Sequence, residues 1–181
     1  MNTATATRWN LDLAHSEIQF KIKHLVISTV TGEFTNFTGT LEHDSDDFEG
    51  AQATFEADVS SIDTNNEQRD EHLKSADFFD VERYPKLKFS SNKFEKIDDS
   101  TYNLHGDLTI KDVTKPVTLD VEFGGVAEDP FGQTKAGFDV SGKINRKEFK
   151  LNWDGVTEAG NVVVSDTVKL LISVQFTKEE E

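Results

Sequence analysis

The side chains able to do chemistry are few and scattered. Five histidines stand at His15, His24, His43, His72 and His105. No two of them have the i, i+2 or i, i+4 spacing that, with a third ligand nearby, would hold a metal. The run Arg69-Asp70-Glu71-His72-Leu73 sets a histidine beside two carboxylates, the raw material of an acid–base couple. A polar helical turn carrying a solvated charge cluster is the plainer account of it. Ser16 beside His15 makes no triad, because neighbours on a strand point to opposite faces. Gly124–Gly125 and Gly39 read as turn or bulge glycines, since a phosphate loop needs a strand before it and a helix after it. Asn36-Phe37-Thr38 matches a glycosylation acceptor, which has no meaning in a chain expected to lack a secretory leader. With no cysteine there is neither a thiolate nucleophile nor a Cys-ligated metal. The residues offer no catalytic set and no metal site, and no cofactor is expected.

The elements that would position any site are strands. The chain has 181 residues, enough for a single domain over 1–181, and 14 Phe against 2 Tyr and 2 Trp, a composition that favours a greasy β interior. Apolar and polar residues alternate through Ile18–Ile22, Ala53–Val59, Leu87–Phe89, Leu104–Ile110, Val117–Phe123, Phe138–Ile144 and Val168–Phe176. Period-two alternation marks antiparallel strands with one face buried and one wet. Short polar links at Asp44–Gly50, Asp98–Ser100, Lys111–Lys115 and Glu128–Gln133 separate the runs, with Pro85 and Pro116 at strand beginnings. The reading is an all-β fold, an antiparallel meander that closes into a barrel of about eight strands, with one helical insertion near residues 64–80. In that insertion Thr64 and Glu67 make a capping box, and Leu73, Phe78 and Phe79 pin the helix on the barrel's surface or across one mouth. Asn66, Asp70 and Lys74 are expected to face water.

Inward faces are almost free of ionisable groups. They place Ile18, Phe20, Ile22 and Phe34 inside, followed by Phe55, Ala57, Val59 and Phe89. Leu104, Leu108, Ile110, Leu119 and Val121 continue the set, and Phe138, Val140, Leu170, Ile172 and Val174 complete it. Small residues such as Ala57 and Gly106 either fit the taper of a filled barrel or leave a cavity wide enough for one ligand. Trp9 and Trp153 read as barrel-end plugs. The formal charge of −15 excludes a nucleic-acid binder and a polybasic lipid-surface protein. No stretch of eighteen apolar residues occurs, so no transmembrane segment is expected, and the amino terminus predicts a cytoplasmic location.

Four segments carry a family likeness. His15–Gly39, Ser61–Ser91, Gly106–Leu119 and Ile144–Trp153 resemble, in order and spacing, the YceI-like family, and the second block is long enough to be specific. The resemblance implies a lipocalin-like barrel that takes a long-chain isoprenoid or similar amphiphilic lipid (polyprenyl, quinone or fatty amide), for transport, storage or stress response. It implies no agreed catalysis, and a homodimer is compatible with it. Arg69, His72 and Leu73 belong to a hallmark block that ties the helix to the mouth or contacts the ligand. Two residues depart from the family pattern, Asp112 and Lys150, where glycine is common; the second frees the loop before Trp153 to take another conformation. An enzyme acting on a lipid near the helix and a filled barrel serving as an interaction module are the alternatives. The acidic charge opposes a diphosphate head group unless Arg69, Lys74 or Arg146 gathers at the mouth.

Overall fold

The structure, a computed structural model, describes residues 7–24, 27–44, 48–152 and 164–179. Its strands are β1 (Thr7–Leu11), β2 (Glu17–His24), β3 (Ser28–Phe34), β4 (Phe37–His43), β5 (Gln52–Asp58) and β6 (Ile62–Asp63), then β7 (Lys86–Lys96), β8 (Thr101–Ile110), β9 (Val113–Glu128), β10 (Thr134–Asn145) and β11 (Val164–Lys178). Neighbours pair antiparallel throughout, and β11 closes the wall by pairing with β10 on one edge and with β2 and then β1 on the other. The eleven strands occupy eight places, because β1–β2, β3–β4 and β5–β6 are long strands broken by a bend. At one bend the Thr35 amide donates to the Ser61 carbonyl and the Asp58 amide to the Asn36 carbonyl, so pairing continues around the corner. The expected barrel of about eight strands is what the chain forms.

Alternation translates directly into burial. In β8 Tyr102, Leu104, Gly106, Leu108 and Ile110 are all buried while the residues between them are not. Two expectations fail locally. Pro116 does not begin a strand; β9 starts at Val113, and Pro116 sits exposed within it opposite Asp107. Lys111–Lys115 is likewise not a long link, since only Lys111 and Asp112 form the turn and Lys111 takes a φ of 59°. The segment Asp44–Gly50 is more than a polar link, because Phe48 within it is buried. Among the described residues no helix is long and apolar enough to cross a membrane.

The helical insertion is one element, α1 (Glu67–Lys74). Its amino-terminal cap is Asn66, whose side chain accepts from the Arg69 amide, and not Thr64. Thr64 is instead 3% exposed and anchors the helix from outside its first turn. Its hydroxyl donates to Asp70 Oδ1 (2.5 Å) and accepts from Arg69 Nε (2.8 Å), while its amide donates to the same carboxylate and its carbonyl accepts from Arg69 Nη2. Asp70 is therefore turned to the Thr64 loop rather than to water. No residue within the helix is buried; Leu73 and Phe79 are half-buried, and Phe78 alone is a core side chain.

Candidate functional site

The barrel interior is hollow, which overturns the filled-barrel alternative. Two chambers lie end to end and share a ring of Phe34, Leu87, Ile110, Ile144 and Leu170. The deep chamber has a volume of about 160 Å³, and Thr54 is the one polar side chain on its wall. Of the residues expected inside, Ile18, Phe34, Phe55, Phe89, Leu104, Leu108 and Ile110 line it. Leu119, Val121, Phe138, Val140, Leu170, Ile172 and Val174 complete that expected lining. The mouth chamber, of about 410 Å³, lies under α1 and is lined by Phe20 and Ile22 together with Arg69, His72, Leu73, Phe78 and Phe79.

Ala57 and Val59 belong to neither wall. They are 0% and 2% exposed and pack beside the cavity rather than on it. Gly106 also serves packing: a Cβ there would lie 2.5 Å from Phe89 Cζ and 2.6 Å from the Ser90 carbonyl oxygen, so the ring lies where a side chain would stand. The alternation of small and large residues fits rings against the wall, and the void lies further in.

The end opposite α1 is shut by aromatic rings. Phe48 reaches back from the β4–β5 connection to within 5.1 Å of the Phe138 centroid and 5.2 Å of Phe123. Trp9 covers Phe48 and donates its indole N–H to His43 Nε2 at 2.8 Å, so a polar edge stays paired in an apolar plug. Trp9 is thus a plug as expected, and Trp153 lies outside the described residues. Phe48 was missed by sequence reasoning. The signal was there, a lone ring among acids in Asp46-Asp47-Phe48-Glu49.

His72 has a carboxylate partner, but not the one its sequence neighbours suggest. Its Nε2 lies 2.9 Å from Asp77 Oδ2, and its ring packs edge-on against Phe78. This couple fastens the carboxyl end of α1 to the turn that follows. The two departures from the family pattern answer one another. Lys150 keeps a left-handed backbone (φ 63°, ψ 22°), the conformation glycine would favour, and its ammonium pairs with Asp112 at 3.1 Å. The hydrogen bond from Lys150 outweighs desolvation and holds the Asp112 carboxyl below its ordinary range. Carboxyls at Asp12, Glu95 and Asp98 are lowered by their own partners, and Lys86 is raised by Asp58; none of these groups borders either chamber. Among the described residues no three His, Cys, Asp or Glu side chains are placed to hold a metal ion.

A closed eight-stranded antiparallel barrel, plugged at one end and roofed by a helix at the other, defines the lipocalin-like class of hollow β-barrels. The chain matches the YceI-like domain over residues 9–176 and belongs to that family. A UPF0312 protein of Staphylococcus epidermidis is 43% identical over 172 residues, covering 94% of this chain and 98% of the relative. The YCEI protein of Campylobacter jejuni superposes with a TM-score of 0.74 at 38% identity, covering all of both chains. A polyisoprenoid binding domain from Saccharophagus degradans shares the fold, with a TM-score of 0.68 at 15% identity over 94% of this chain and 98% of that one.

Proposed function

We propose that this protein binds one long-chain isoprenoid or similar amphiphilic lipid inside the barrel and shields its tail from water. The polyprenyl, quinone and fatty-amide classes all fit, and transport, storage or a stress response is the role. The observation that carries the reading is the deep chamber. It is an apolar cavity, closed by aromatics at one end and sharing a ring of side chains with the mouth chamber at the other, in a chain whose fold neighbour is a polyisoprenoid binding domain. An empty apolar cavity forfeits the dispersion contacts of its lining, so a tail that fills it is stabilised by contact and by leaving water.

Strands of ten or more residues make a barrel roughly 25 Å tall, so a tail of around twenty carbons matches its height. Burial at about 0.8 kcal/mol per methylene, less the ordering of a flexible chain, supports roughly submicromolar affinity. The reading is of a carrier rather than an enzyme, supported by the described groups whose ionisation the fold shifts, which all lie away from the chambers. A cytoplasmic setting and a homodimer belong to the proposal; light scattering at micromolar concentration tests the second.

Delipidated protein should bind long tails more tightly than short ones until the tube is full. Equal affinity for both, measured by displacement of a fluorescent fatty probe, would sink the reading. Val140→Phe places a ring on the deep wall and should weaken long-tail binding at least tenfold, leaving the circular dichroism of the barrel unchanged. Mass spectrometry of the lipid that copurifies identifies the natural ligand.

A further inference from the structure

The void stops at one level of the barrel wall. On the inward face of β10, Ile144 and Val140 line the deep chamber and are half-buried, whereas Phe138 is 5% exposed. On the inward face of β11, Leu170 and Ile172 line it and are half-buried, whereas Val174 is 8% exposed. Phe138 and Val174 are direct cross-strand partners, so both strands pass from open wall to closed core at the same register.

Phe138 stands between that void and the plug. It lines the deep chamber together with Phe94 and Phe176, while Phe48 and Phe123, which pack against it, line neither chamber. Its ring centroid lies 5.1 Å from Phe48, 5.2 Å from Phe123, 6.0 Å from Phe176 and 6.4 Å from Phe94. A ring held by four others cannot swing aside without giving up close-packed aromatic contacts. Phe48 behind it is 4% exposed and covered by Trp9. Removing the Phe138 ring would therefore deepen the chamber without opening it to water.

We infer that Phe138 is the ruler of the barrel, the residue that fixes the tail length at which affinity stops rising. This rests on the lipid-binding reading and adds to it the group that measures the ligand. Each carbon that enters the chamber leaves water and gains contacts, so affinity climbs with length while there is depth to fill. A tail that meets the Phe138 ring advances no further, and its surplus carbons stay outside. From Ile144, in the ring the two chambers share, down to Phe138 the strand covers roughly 20 Å, which barrel tilt reduces to about 15 Å of depth. Carbon–carbon bonds of about 1.5 Å advance an extended tail by about 1.25 Å each, so about twelve carbons fit below the shared ring.

The test holds the head group constant and varies the tail. Delipidated protein is titrated with saturated fatty acids from decanoic to tetracosanoic acid, by displacement of a fluorescent fatty probe. In the parent, affinity should climb with length and then level off. Phe138→Ala should move the levelling point to longer acids by roughly two to four carbons, the reach of the lost ring. Phe138→Leu should move it in the same direction by less, and answers the question if the alanine variant misfolds. Val174→Phe, which adds a ring at the same level, should move it to shorter acids by a similar amount. A levelling point that stays in place in folded Phe138→Leu and Val174→Phe proteins would overturn the ruler and leave the lipid reading standing. So would a loss of affinity equal at every length, the mark of a purely structural role. No binding of any acid by the parent would overturn both.

Discussion

At Thr64 one hydroxyl both donates and accepts, and this joins two charged neighbours that sequence order alone leaves unrelated. The buried side chain presents a single oxygen to the Arg69 guanidinium and the Asp70 carboxylate at once. Removing it leaves a donor and an acceptor short of a partner in a site with little access to water. Thr64→Val, nearly isosteric, should therefore lower stability by about 1–3 kcal/mol in urea denaturation, and Thr64→Ser should recover most of it. The same logic explains Lys150, whose left-handed backbone is costly for a non-glycine residue but is offset in part by the ion pair to Asp112.

At the scale of the element, α1 is a roof held by its ends. Its eight residues have little apolar character and none is buried, so it would not persist as an isolated helix. Thr64 and the Asn66 cap hold the start, while the His72–Asp77 pair and the Phe78 ring hold the finish. Phe78→Ala should lower stability by roughly 3–5 kcal/mol if the ring is the anchor its burial indicates. A loss below about 1 kcal/mol in equilibrium unfolding would show that the helix is a loose lid. Leu73 and Phe79 are half-buried because one side of each faces the mouth chamber, a position that suits contact with a ligand better than core packing.

For the whole molecule, closure of the barrel is the decisive step, and an ion pair sits on its seam. Asp12 follows β1, and Lys135 in β10 reaches it at 2.8 Å while also donating to Thr177 of β11. Burial raises the Asp12 carboxyl, but the hydrogen bonds and charges of Lys135 and His15 outweigh it and leave it below its ordinary value of 3.8. A carboxyl lowered by folding contributes stability that is present above its unfolded value and is lost as pH falls through the folded one. Lys135→Met should therefore lower stability at pH 7, and the difference from the parent should shrink below pH 3.8 as Asp12 protonates. Urea midpoints measured across that range read the effect, and a difference that stays constant with pH would refute it.

Period-two alternation was sufficient to give the barrel, its closure by about eight places and most of the inward set, since burying one face of an antiparallel strand leaves little choice of register. The family blocks gave the helix its place at a mouth. Which inward residues face a void was not legible, because alternation reports the side of the sheet and not the depth of the space beyond it. Ala57 and Val59 thus read as lining residues although they pack beside the void, and Gly106 although the Phe89 ring stands over it. Phe48 escaped because its connection looks like any polar link until β9 and β10 bring Phe123 and Phe138 beneath it. The make-up of the mouth wall lay furthest from reach. Lys23, Arg69 and Arg146 stand on different elements, far apart in the chain, and only the closed barrel brings them to one wall.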